Sequence, residues 1–250
     1  MGFYDLNKQR RLALMQEMEQ QILDDITVQS MDQMLTYACD TDTYIRKATY
    51  QILGRLYLQY PQYQECIRDI VKNLFADNNE KARQTAVYFL GEIGEIDESI
   101  LERALHDPHH AIRNGVIGTL KILGKKHLQP TLAFARKHLH DENAEIRRQI
   151  IHGIELHGRT HPEDVLPILR ELQDDNNRRV SDMIAHVISQ ISYKEGCLPI
   201  VVAELKTWHN QAMVQKALDE IITLHGEQDY CIFSQDTARE YIKREMNYDR

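Results

Sequence analysis

The chain has 250 residues, 42% apolar and 27% charged, with a formal net charge of −8. That acidic balance argues against a protein whose affinity comes from covering nucleic-acid phosphates at large. No apolar run approaches the length that spans a bilayer, so no membrane partner is expected. The opening MGFYDLNKQRR has no apolar signal core, and Leu6 at its sixth position breaks the myristoylation pattern. Four well-separated cysteines without a CxxC pair read as reduced thiols of a cytoplasmic protein.

In chain order, an amphipathic segment over 6–23 comes first and reads as an N-terminal capping helix within 1–27. Six copies of one weak pattern then fill 28–226. Each has an Asp in a polar turn, an apolar anchor five positions later, usually an Arg after the anchor, and then an apolar stripe at helical spacing. The copies are Asp40 with Ile45-Arg46, Asp77 with Ala82-Arg83, Asp107 with Ile112-Arg113, Asp141 with Ile146-Arg147, and Asp175 with Val180-Ser181. The sixth is degraded, with His209 in the Asp slot and Val214-Gln215 after it. The last anchors fall at 112, 146, 180 and 214, each step being 34 residues. A fixed period of this size marks a solenoid whose repeats bury their apolar faces on their neighbours.

Each copy reads as two helices. Weaker first helices are predicted over 31–38, 65–75, 98–105, 129–139, 164–172 and 198–206. The second helices show the clearer stripes, as in Ile184, Val187, Ile188 and Ile191. Gly94, Gly124, Gly158 and Gly226 follow four of these stripes, where a left-handed C-cap is expected. The turn Asp is placed to accept N–H groups near the start of the second helix, and the Arg to reach back to it or along the stack. A last helix over 234–246, with Asp236 as its N-cap, forms a C-terminal cap within 227–250. The expected fold is an all-α, right-handed superhelical solenoid of about six HEAT-like repeats with a capping helix at each end. With no Gly/Ser or Pro-rich linker, it is expected to be a single domain over 1–250.

Nucleotide-dependent catalysis finds no support: GxSxG, P-loop, GxGxxG and kinase signatures are all missing. The twelve histidines include no HExxH and no Cys/His pair, so neither a metal nor a cofactor is expected. Second helices of stacked pairs line the concave side, and their first turns carry Arg46-Lys47, Arg83, Arg113, Arg147-Arg148, Arg178-Arg179 and Lys216. Either these serve the Asp ladder internally, which is the first reading, or they form a positive strip in an acidic protein. His109 with His110, and His152 with His186, would bind phosphate or acidic side chains at low pH if they line a groove. Tyr44, Tyr50 and Tyr57 lie six to seven apart and read as packing of the first repeat.

The repeat signature as a whole resembles HEAT repeats, and 91–124 is similar to the short HEAT variant also found in phycobilin lyases. The stretch over 128–226 resembles the bacterial DNA alkylation-repair family, alkylpurine DNA glycosylases built from HEAT-like repeats. The shared marks are Arg147-Arg148, the run from Pro162 to Asp175, the helix over 184–192, and Leu205 with Trp208. The resemblance implies that Arg147 and Arg148 grip DNA phosphates. A carboxylate near the sugar and an aromatic face for the cationic base would complete such a site. This chain departs from that pattern. The helix over 184–192 presents His186, Ser189 and Gln190 where the family offers an aromatic or acidic residue, and the turn over 109–115 carries no acid. Substitute acids would be Asp182 or Glu155, each read first as a solvated surface carboxylate, while Trp208 occupies a position that looks structural. The expected ligand-binding set is Arg113, Arg147, Arg148, His152, Arg179 and His186. The reading is a protein that binds a macromolecular partner in its groove, DNA or another protein, with a degenerate catalytic constellation. The alternatives are an active alkylpurine DNA glycosylase and a pure protein-binding scaffold.

Overall fold

A computed structural model describes residues 2–246, in which fourteen α-helices and no strand are found. The chain divides into two compact units, Met1–Lys126 and His127–Arg250. The first unit opens with α1 (Lys8–Val28). It continues with the pairs α2 (Asp32–Ala38) and α3 (Thr43–Gln59), α4 (Gln64–Ala76) and α5 (Glu80–Ile93), and α6 (Glu98–Leu105) and α7 (His110–Lys126). The second unit holds the pairs α8 (Leu128–His138) and α9 (Ala144–Gly158), α10 (Pro162–Arg170) and α11 (Arg178–Ser192), and α12 (Cys197–Leu205) and α13 (Gln211–Glu227). It closes with α14 (Gln235–Met246), which packs on α12 and α13.

The predicted helices are all present, with ends that shift by a few residues. Within each unit the second helices stack side by side, α3 on α5 on α7 and α9 on α11 on α13; α2, α4, α6 and α8 pack on their own partners, whereas α10 packs mainly on α9 and α12 on α10 and α11. The anchors of the sequence pattern are core residues: Ala82, Ile112, Ile146 and Val180 are fully buried. Around them sit the stripe residues, such as Ile52, Leu53, Leu120, Ile150, Ile184 and Ile188. Burying such side chains contributes about 1.5–3 kcal/mol each, which short first helices could not gain in isolation. Trp208 follows α12, is 2% exposed, and donates its indole N–H to Glu204 at 3.3 Å.

The turns divide labour more finely than the sequence suggests. The pattern Asp does not cap the second helix itself. Its carboxylate accepts the N–H two residues on, as in Asp77 to Asn79 (2.7 Å), Asp141 to Asn143 (2.8 Å) and Asp175 to Asn177 (2.8 Å). That second residue is the N-cap: Asp42, Asn79, Asn143 and Asn177 each accept an N–H from the first turn of their helix, and in the sixth copy Asn210, one residue after His209, does the same. In the degraded sixth copy, Gln173 replaces the missing Asp by accepting the N–H groups of His209 (2.9 Å) and Asn210 (3.1 Å). Replacing Asn177 by alanine is expected to cost about 1 kcal/mol, read as a lower urea midpoint at unchanged slope; no shift would mean that the Asx turn and cap are dispensable.

Of the four glycines expected as left-handed caps, only Gly94 is one, at φ 76°. Gly124 and Gly226 lie inside α7 and α13, and Gly158 closes α9 without a positive φ. Gly158 is there for close packing: a Cβ would stand 2.7 Å from Ile191 Cδ1 and 3.2 Å from Val165 Cβ. At α14 the N–H of Thr237 is capped by Ser234 (3.2 Å) rather than by Asp236. Residues 247–250, the end of the expected C-terminal cap, lie outside the described residues. Among the described residues no helix is long and apolar enough to cross a membrane. The four cysteines are free, and burial pushes each thiol above its ordinary pKa, so they stay protonated.

Candidate functional site

The arginines after the anchors fold back into the turns. Arg83, Arg113 and Arg147 each place Nη1 on two carbonyls of their own turn. For Arg113 these are Asp107 (2.7 Å) and Pro108 (2.9 Å); for Arg147 they are Asp141 (2.7 Å) and Glu142 (3.1 Å). Two of them also use the other edge of the guanidinium on the Asp of the next repeat. Arg83 binds Asp107 at 2.8 and 3.2 Å, and Arg147 binds Asp175 at 2.6 and 3.0 Å. These are fork-on-carboxylate pairs, and they are largely buried: the Arg147 and Asp175 side chains are 16% and 4% exposed. Burial pushes the Asp175 carboxyl up, but the Arg147 hydrogen bond and charge and the Asn177 N–H outweigh it. The group is held below the ordinary carboxylate range. Asp107 behaves likewise beside Arg83 and His109. Arg147, expected to grip phosphate, is therefore fixed within the stack, and Arg113 is tied to its own turn.

The rest of the expected set in the second unit gathers on the outward turns of α9, α11 and α13. Arg148, Arg179, Asp182, Met183, His186, Lys216 and Glu220 line a cleft of about 450 Å³. Glu145 organises its edge. It accepts two hydrogen bonds from Arg148 (2.7 and 2.9 Å) and one from Gln149 (3.1 Å), and lies 3.4 Å from Arg179. Lys216 donates to Asp182 and to Ser181 (2.8 Å), and Arg178 stands 3.7 Å from Asp182. The His152 and His186 rings meet edge to face at 6.3 Å. Charge of both signs thus alternates across the cleft. Glu145 was missed in the sequence, although its spacing of three before Arg148 is that of a helical ion pair.

The two candidate acids part company. Asp182 is a solvated carboxylate, 51% exposed and shared between Lys216 and Arg178. Glu155 is not: at 1% exposure it is a core residue, paired with Arg159 and lying 3.2 Å from His152 Nε2. Ser189 and Gln190, expected to face outward, are buried at 1% and 8% exposure, and Ser189 donates to the His186 carbonyl at 2.8 Å. From α11 the cleft is lined by Arg179, Asp182, Met183, Ala185 and His186. In the first unit His109 and His110 stack at 4.8 Å, and the His109 ring caps α7 by accepting the Ala111 N–H at 3.3 Å. Tyr57 is packed as expected, edge-on to Phe89 at 5.7 Å, and Tyr50 lies beside Tyr88 at 5.2 Å. Tyr44 instead is 47% exposed.

No family model matches the chain, and no curated protein matches it. Solved structures do. AlkD2 from Streptococcus mutans is similar over 80% of this chain and 97% of its own, at 16% identity and a TM-score of 0.56. The protein smu.31 from Streptococcus mutans UA159 is similar with the same coverage and identity, at a TM-score of 0.54. The fold is that of a HEAT-like helical-repeat solenoid. The likeness extends well beyond 128–226, the stretch that carries the sequence resemblance, and at this identity it is a likeness of fold.

Proposed function

We propose that this protein is a non-catalytic helical-repeat module that binds a partner protein on the face formed by α9, α11 and α13. One observation carries the reading: the basic residues of that face are matched by acids. Arg148 and Arg179 share Glu145, Lys216 and Arg178 share Asp182, and Glu220 adds a further negative charge at the cleft. A duplex presents one negative charge per about 1.7 Å, and these carboxylates would oppose it. A partner carrying both signs can exchange each of these pairs for one of its own, which favours specificity over bulk attraction. Of the two acids the sequence offers a glycosylase, Glu155 is closed off by burial and Asp182 is paired with Lys216 and Arg178. The fold alone decides nothing here, since sites rather than folds carry function.

The test is a photo-crosslinking amino acid at Met183, which lines the cleft. In extract of the source cells it should give a discrete protein adduct that disappears when Asp182→Lys and Glu220→Lys are added. Adduct formation indifferent to the reversal, or no adduct while duplex DNA binds saturably, would move the reading to DNA. That outcome would put the exposed Arg178 and Arg179, 91% and 73% exposed, in the contact.

A further inference from the structure

The N-terminal segment builds a second, unrelated surface in the first unit. The N–H of Phe3 is held by Asp42 Oδ2 at 2.5 Å, which docks residues 2–5 beside the start of α3. Phe3, Tyr4 and Tyr44 then form one cluster. Phe3 stacks on Tyr44 at 6.3 Å, and Tyr4 meets Tyr44 edge-on at 4.3 Å. They wall a hollow of about 440 Å³ that is also lined by the apolar Leu12, Met15 and Ala48. Its remaining lining is Lys8, Arg11, Lys47 and Gln51, with no carboxylate among the lining residues. The nearby acids Asp5 and Asp42 turn to backbone N–H groups, Gly2 at 2.6 Å for the first, Phe3 and Tyr44 for the second. Arg11 lies over the Tyr4 ring at 4.9 Å, and among the described residues Lys8 and Lys47 enter no ion pair. Tyr4 and Tyr44 remain 60% and 47% exposed, so aromatic surface is offered rather than packed away.

We propose that this hollow binds a nucleoside phosphate. The volume is that of a small-ligand pocket, apolar with a few polar groups around it. A planar base gains from aromatic faces whatever its identity, and the Gln51 amide offers both a donor and an acceptor for a base edge. Three cations without a carboxylate among them suit a phosphate, in a chain whose net charge is −8. An acidic peptide would use the cations but leave the aromatic wall idle, and an uncharged aromatic would do the reverse. A free nucleotide and the 5′-phosphorylated end of a single strand share the chemistry.

The experiment is a fluorescence titration at low salt with etheno-ADP as probe, repeated with dye-labelled oligo-dT carrying either a 5′-phosphate or a 5′-hydroxyl. Saturable binding of etheno-ADP is expected, weakened at least tenfold in Lys8→Ala/Lys47→Ala and in Tyr44→Leu. The lysine pair is exposed, so that variant keeps its circular dichroism and separates lost binding from lost folding. Preference for the phosphorylated oligonucleotide over etheno-ADP assigns the site to strand ends; the reverse assigns it to free nucleotides. No saturation with either probe, or binding unchanged in both variants, overturns the proposal. So does competition by a Glu/Tyr copolymer but not by ADP.

Discussion

Arg147→Ala is expected to destabilise the second unit by about 3 kcal/mol, an effect of the size seen when one partner of a buried ion pair is removed. The loss comes from both ends of the guanidinium. Two turn carbonyls, those of Asp141 and Glu142, lose their donor, and Asp175, whose side chain is 4% exposed, keeps its charge without its partner. Trp208 is the only tryptophan and is buried in the same unit, so its emission in a urea titration reads the change directly. Arg178→Ala, at a 91% exposed side chain, should stay within about 0.5 kcal/mol of the parent.

The penalty should also depend on pH. Burial raises the Asp175 carboxyl, but Arg147 and the Asn177 N–H hold it below its ordinary range in the folded protein. A depressed carboxylate contributes stability that is complete above its unfolded pKa of about 3.9 and is lost as pH falls through the folded value. Parent and Arg147→Ala should therefore differ most near neutrality and converge in acid. A loss at neutral pH below about 1 kcal/mol, in the range of exposed pairs, would show Arg147 to be free of the stack and return it to the groove.

Trp208→Ala is expected to cost about 3–5 kcal/mol, as other large-to-small core changes do. The side chain is 2% exposed, so its removal leaves a cavity, and the Glu204 carboxylate loses the indole donor. Because the variant has no tryptophan, the midpoint must be followed by far-UV circular dichroism. Trp208→Phe should recover roughly half of the loss by refilling part of the volume. Equal losses for Phe and Ala would assign the effect to the indole N–H instead of packing.

Much of this architecture could be read from the sequence, because a solenoid repeats its instructions. The 34-residue step, the buried anchors and the helical stripes each return several times, and several weak signals at a fixed period make a strong one. What repetition cannot convey is which neighbour covers a given face. Glu145, Gln149, His152 and Glu155 form a polar stripe along α9 that Arg159 continues just past its end, and such a stripe reads the same whether water or protein lies over it. Hence Glu155 was read as solvated although it is a core residue. The Gly158 reading failed for the same reason: a glycine after a stripe suggests a cap, whereas close approach of Ile191 and Val165 is visible only once the chains are packed. The ladder arginines lay between these cases. Their spacing after each Asp is legible, but the choice between turn and groove depends on side-chain direction, and the six-residue reach back to the turn carbonyls decided it.

The most direct test of the account is fluorescence anisotropy with an alkylated and an unmodified duplex, both lacking 5′-phosphates, over a series of salt concentrations. Arginines locked into turns and a face of paired charges predict no saturable binding at physiological salt and no preference for the alkylated duplex. Saturable binding with a steep salt slope that flattens by about one unit for each of Arg148→Ala and Arg179→Ala would contradict it and identify that face as a phosphate grip.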